Sequence, residues 1–182
     1  MKRLTVRELV LCSLFTALVA VGAFLRIPVP LIPFTLQLFF TTMAGFVLGP
    51  RLGALSVGLY VALGLLGVPI FTEGGGFGYV LKPSFGYLIG FIVTAYVVGK
   101  MSEKNPTSLK HLIIAALSGM MVTYAFGVVY CYFVTNVVLG IHMTAWIVFL
   151  HGFLLVVPSD IILSILAAIV AKRLQRAMLW MK

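Results

Sequence analysis

Only four acidic residues occur in this 182-residue chain, and Asp160 stands alone among them inside an apolar run, VPSDIILSILAAIVA. Counted back from Lys172 at helical rise, it sits about 18 Å above one membrane edge, slightly beyond the midplane. A carboxylate at that depth costs about 2.5–3.5 kcal/mol on insertion scales, so it should face the interior of a helix bundle and have a partner. The partner is either a neighbouring side chain, in a structural or capping hydrogen bond, or the polar hydrogens of a ligand. A second chemistry-bearing stretch, PIFTEGGGFGYVLKPSFGYLIG, covers residues 69–90. Backbone that irregular cannot face hydrocarbon and must lie in water at the bilayer surface or line a cavity, which makes it a candidate ligand loop. Gly74, Gly75 and Gly76 let its main chain take positive φ and approach a bound molecule. Lys82 is a candidate cation for a ligand carboxylate, with a snorkelling or solvated lysine as the plainer alternative. Glu73 can pair with Lys82 or accept from a ligand. Gln37 is an intramembrane amide able to donate and accept. Tyr79, Phe85 and Tyr87 add rings that suit a binding wall or an interfacial belt.

Other chemistries lack their residues. His111, His142 and His151 are too scattered for a metal site, and Cys12 and Cys131 lie in apolar runs without ligand spacing. No Gly-x-x-x-x-Gly-Lys-Ser/Thr run is present to hold ATP. Neither His-Glu-x-x-His nor Gly-x-Ser-x-Gly supports a hydrolase. The net charge of +9 would suit nucleic acid in a soluble protein, but here the positive residues fall where a membrane would place them.

The elements that must position these residues are membrane helices. The chain is 62% hydrophobic and 9% charged, with mean hydropathy +1.18, and its apolar runs are broken by Gly, Pro and charge clusters. Residues 1–182 read as one integral membrane domain without linker or repeat, with spans near 9–25, 35–49, 52–67, 84–99, 111–138 and 144–171. Six crossings put Lys2, Arg3, Arg7, Arg51, Lys100, Lys104, Lys110, Lys172, Arg173, Arg176 and Lys182 on one side, against Arg26 and Lys82 on the other. That bias places both termini in the cytoplasm. Residues 9–25 could be mistaken for a signal peptide, since Val21-Gly22-Ala23 resembles a cleavage site, but removing them would upset the charge bias. Pro28, Pro30 and Pro33 mark the first outer loop. The last span would measure about 42 Å as a straight helix, so a break is expected at Pro158, or else residues 141–155 form a separate outer segment. In the first span Ser13 and Ala17, and beside them Thr16 and Ala20, are small residues at helical spacing. They fit either contact inside the bundle or a docking face for a partner protein.

Almost end to end, these segments resemble the BioY family, the biotin-binding S components of energy-coupling factor (ECF) vitamin transporters. The resemblance runs through IPVPLIPFTLQ, AGFVLGPRLGALSVGLYVALGLLGVPIF, the glycine loop, KPSFGYLIGF and VPSDIILSILAAIVAKRL. It implies an all-α membrane protein, a six-transmembrane-helix bundle of the ECF S-component type, in a bacterial cell (inner) membrane. The implied function is high-affinity biotin binding for uptake, without catalysis and without a cofactor on this chain. Asp160 matches the family's Pro-x-Asp motif near the ureido ring, and Gln37, Gly75 and Tyr87 fall at pocket positions. Ser13-x-x-x-Ala17 stands where the family docks on its transmembrane coupling protein, beside two ATPase subunits that use ATP. Leu88 and Leu163 replace an Arg and a Lys of some members, and an Asn of their glycine loop is missing. Lys82, where a glycine is common, then becomes the candidate for the biotin carboxylate. Asp160 is expected to accept from the ureido edge, with Gln37 or glycine-loop amides serving its carbonyl. The alternatives are an S component for another small vitamin or a biotin precursor, an intramembrane enzyme with Asp160 and His151 as acid and base, and a purely structural bundle subunit.

Overall fold

The computed structural model describes residues 4–27 and 33–180, the last five by backbone alone. Lys2, Arg3, Pro28, Pro30 and Lys182, with the side chain of Arg176, lie outside the described residues. Helix α1 (Val6–Phe24) starts at a capping box: the Thr5 hydroxyl accepts from the Glu8 amide while the Glu8 carboxylate accepts from the Thr5 amide at 2.7 Å. Two short antiparallel strands, β1 (Arg26–Ile27) and β2 (Phe34–Thr35), lead into α2 (Gln37–Leu65). After a loop containing a 3₁₀ turn, Phe77–Leu81, come α3 (Phe85–Ser102) and α4 (Leu109–Phe133), the latter continuing in a wide π turn, Val134–Val138. A one-turn helix α5 (Ala145–Phe149) and a second π turn, Leu150–Leu154, precede α6 (Val157–Trp180).

Among the described residues, five helical runs are long and apolar enough to cross a membrane: Val6–Phe24, Gln37–Leu65, Phe85–Ser102, Leu109–Val138 and Ala145–Gln175. The difference from six expected spans lies at α2, which takes in both 35–49 and 52–67. That run is not straight. The Gln37 side-chain amide donates to the Tyr60 hydroxyl at 2.8 Å, although 23 residues of straight helix would hold them about 34 Å apart. The chain therefore turns back on itself, and the elbow is Gly49, at φ 78° and ψ −178°, followed by Pro50. Only glycine adopts that backbone readily, and proline suits the first turn of the arm that follows.

The arms of α2 pack against α1, α3 and α6, and α4 packs against α3 and α6. Arg51, Lys100 and Glu103 surround a groove beside the elbow, and the His111 ring bonds the Met101 carbonyl at 2.7 Å, so the basic loops share one end of the bundle. Arg26, Glu73 and Lys82 occupy the other end, with the glycine loop. The late break falls at residues 155–156, immediately before Pro158, which sits in the first turn of α6 where a missing amide hydrogen is tolerated.

Helix α1 divides its two small-residue strips. Thr16 is buried and donates to the Ser56 carbonyl at 2.8 Å, with Ala20 half-buried beside it, so this strip meets α2. Thr16 thereby leaves the expected docking face. Ser13 and Ala17 are exposed, and the Ser13 hydroxyl turns back to the Leu9 carbonyl at 3.0 Å.

Replacing Gly49 by Ala forces a side chain into the elbow conformation. The expected loss is about 1–3 kcal/mol of stability, read as a lower thermal midpoint in detergent; an unchanged midpoint would mean that the elbow tolerates a Cβ.

Candidate functional site

The loop end is held down by buried polar contacts. Gln37, at the start of α2, is 3% exposed, accepts from the Thr35 hydroxyl at 3.2 Å and donates to Tyr60, whose own hydroxyl donates to the Ile70 carbonyl at 3.1 Å. Phe71 is packed between the rings of Tyr60 and Tyr79, with centroids at 5.4 and 4.5 Å. The Gly76 amide donates to the Gly64 carbonyl at 2.7 Å, and the Tyr130 hydroxyl to the Val80 carbonyl at 2.6 Å. Gly74 and Gly76 have φ of 106° and 102°, and the Gly75 backbone lies against the Val68 carbonyl. The glycines thus make the turns that fold this loop onto the C-terminal end of α2.

Beneath it is a cavity that opens at its mouth, with about 530 Å³ of empty space when the adjoining solvent is counted. Pro33, Thr35 and Thr72 line it from the two outer loops, together with Tyr79 and Ser84. Gln37 and Leu38 line it from α2, Tyr87, Leu88 and Phe91 from α3, Thr123 and Tyr124 from α4, and Val156 and Asp160 from the break before α6 and its first turn. Four helices and the two outer loops converge on one chamber, apolar-walled with polar side chains set into it.

Asp160 is the only carboxyl group in that lining, and it is 7% exposed. Its Oδ2 accepts from the Tyr124 hydroxyl at 2.6 Å, while its Oδ1 is buried with no hydrogen-bond partner among the described residues. The break at residues 155–156 frees the chain to start α6 there, and the Asp160 amide bonds back to the Val156 carbonyl at 3.2 Å. The Tyr87 hydroxyl donates to the Gly152 carbonyl at 2.6 Å, which ties α3 to the π turn before that break. Tyr124 stands edge-on to both Tyr87 and Phe153, with centroids at 6.0 and 4.9 Å.

Of the residues singled out in the sequence, Asp160, Gln37 and Tyr87 are brought together in the lining; Glu73, Gly74, Gly75, Gly76 and Lys82 are not in it. Lys82 is ion-paired with Glu73 and lies 5.4 Å from the centre of the Tyr79 ring. Leu88 is in the lining and Leu163 is not. His151 is also outside it, its Nδ1 set 3.0 Å from the Ile147 carbonyl. Tyr124 went unread in the sequence, because a tyrosine in the middle of LSGMMVTYAFGVVYCYF has no flanking signal. The demand of Asp160 for a hydrogen-bond donor was the only pointer to it.

The BioY family model matches residues 1–179. Over 178 residues the chain is 45% identical to a protein of Lysinibacillus sphaericus named "Probable biotin transporter BioY", covering 97% of this chain and 90% of the relative. It is 37% identical over 172 residues to "Biotin transporter BioY" of Thermotoga maritima, covering 93% of this chain and 96% of the relative. A solved structure, the S-component for biotin from an ECF-type ABC transporter, superposes with a TM-score of 0.84 at 29% identity, covering 96% of this chain and 95% of that one.

Tyr124→Phe removes the only donor to the Asp160 carboxyl among the described residues and leaves both its oxygens without a partner there. Without any ligand, unfolding should become easier by about 1–3 kcal/mol. Much of that cost should vanish in a background already carrying Asp160→Ala, so a double-mutant cycle on thermal stability checks the pairing; full additivity would deny it.

Proposed function

The chain belongs to the BioY family, and from that premise we propose that it is the biotin-binding substrate-specificity subunit of an ECF transporter, mediating biotin uptake. The observation that carries this reading is the half-satisfied Asp160 carboxyl in the lining of an otherwise uncharged chamber. Biotin has an apolar thioether ring and chain, a ureido group with two N–H donors and a carbonyl, and a carboxylate. Asp160 Oδ1 accepts one ureido N–H. Gln37 keeps a second amide hydrogen beyond the one given to Tyr60 and serves the ureido carbonyl. Tyr87, Phe91 and Leu88 supply the apolar wall for the ring and chain. The carboxylate then faces the mouth, at the end of the bundle that carries Arg26, Glu73 and Lys82. Gly74, Gly75 and Gly76 act by folding the loop that roofs the chamber.

The same reading gives residues 1–182 one membrane domain, a six-helix bundle in which the two arms of α2 count as separate crossings. The basic end faces the cytoplasm with both termini, in a bacterial inner membrane. The exposed strip of Ser13 and Ala17 docks on a transmembrane coupling protein that works with two ATPase subunits, and ATP is consumed there. The chain itself binds no cofactor and performs no reaction; for an enzyme built on Asp160 and His151, His151 would have to reach a chamber it does not line.

Equilibrium binding of the purified chain to biotin, desthiobiotin and unrelated vitamins tests the ligand. Biotin should bind and raise the thermal midpoint, by about 2.7 kcal/mol of stabilisation at a hundredfold excess over Kd, and emerge chemically unaltered. Asp160→Asn should weaken it by more than about tenfold, or about 1.4 kcal/mol; equal affinity would remove Asp160 from the site. Ala17→Trp should abolish co-purification with the coupling protein while biotin binding persists. Retained assembly would free α1 from the docking role.

A further inference from the structure

The chamber lining contains no lysine, arginine or histidine. A ligand with an acidic end therefore finds its cation only at the mouth, where the loop end offers Arg26 and Lys82. These two are differently engaged. Lys82 already has a carboxylate, that of Glu73, and its ammonium lies over the Tyr79 ring. Arg26 has no carboxylate partner among the described residues; its guanidinium donates to the backbone carbonyl of Thr72.

Its position follows from two pairings. In the β1–β2 ladder Arg26 stands opposite Thr35, and its side chain crosses to Thr72 in the glycine loop. Thr35 and Thr72 both line the chamber, and the Thr72 hydroxyl is bonded at 2.8 Å to Tyr79, which lines it too. Arg26 thus bridges β1 and the glycine loop at the rim, and among the described residues most of its five N–H donors are left over. A planar guanidinium with free donors matches a carboxylate in two parallel hydrogen bonds, which a lysine held by another acid cannot do without first breaking that pair.

We propose that Arg26, not Lys82, is the residue that selects for the carboxylate of the ligand, holding it at the rim beside Thr35 and Thr72. This rests on the biotin reading above, and it assigns Lys82 and Glu73 to fixing the loop. The arginine makes the site discriminate between the free acid and uncharged derivatives of the same ring system.

The test compares biotin with biotinamide on the purified full chain, as wild type, Arg26→Gln, Arg26→Lys and Lys82→Gln, with the thermal midpoint without ligand as the check on folding. Wild type should prefer the acid. Arg26→Gln should weaken biotin by about tenfold or more, a charged hydrogen bond's share, leave biotinamide within about twofold, and so erase the preference. Arg26→Lys should keep part of it and Lys82→Gln all of it. Equal loss of both ligands in Arg26→Gln, a preference that survives that substitution, or a preference lost in Lys82→Gln each overturns the proposal while leaving biotin as the ligand. A wild type that binds neither compound sinks the biotin reading itself, and the role of Arg26 with it.

Discussion

A carboxyl group deep in a membrane bundle imposes a condition that the rest of the structure must meet. Hydrocarbon offers nothing to its oxygens, and unpaired buried polar groups cost about 1–3 kcal/mol each even inside protein. Asp160 meets half of that condition through Tyr124 and leaves Oδ1 without a donor. Completing the pairing internally would have been easy for a structural role, since one more hydroxyl from α3 or α4 would suffice. The open valence instead belongs to a residue of the chamber lining, where a bound molecule can supply the missing hydrogen. That arrangement exchanges some stability of the empty protein for selectivity in the filled one.

The scaffold brings Asp160 to its place by interrupting helices at chosen points. The elbow at Gly49 folds α2 back so that Gln37 and Tyr60, distant in sequence, bond to one another under the outer loops. The break at residues 155–156 starts α6 at the level of the chamber, so that its first turn, with Asp160, reaches the lining. Main-chain carbonyls of the irregular segments are taken up within protein: the Ile70 carbonyl by Tyr60, the Val80 carbonyl by Tyr130, the Gly152 carbonyl by Tyr87. Irregular backbone near a bilayer is tolerated under that condition. Three tyrosine hydroxyls, each on a helix, therefore hold the irregular segments that surround the chamber.

Much of this was legible in the residues because membranes make strong demands on sequence. Apolar runs, their breakers and the distribution of Lys and Arg gave the helices and the two ends, and an acid within an apolar run marked Asp160. The elbow was visible as a Gly49-Pro50-Arg51 interruption, although backbone hydrogen bonding carries α2 across it as one element. Position along a helix was readable, but direction around it was not: low amphipathicity left Thr16 and Ser13 indistinguishable until α2 was seen to cover Thr16 alone. The glycine loop was found, yet its contribution to the lining comes from Thr72 and Tyr79 rather than from Gly74 to Gly76. Glycines signal where a chain must turn, and the residues flanking them are left to face the space so enclosed.

The division of polar groups along the chamber also sets how it can discriminate. Deep in the bundle the recognition atom is an acceptor already desolvated by folding, so a ligand without a hydrogen to offer leaves it unpaired. Sites built this way reject an incomplete ligand far more strongly than an apolar wall rejects a missing methylene, which changes binding by only about 1–3 kcal/mol. At the rim, where solvent screens charge, an ionic contact adds less than it would in the interior. On the proposed reading, ring identity is therefore judged at Asp160 and Gln37, while the acid end is sorted nearer to water.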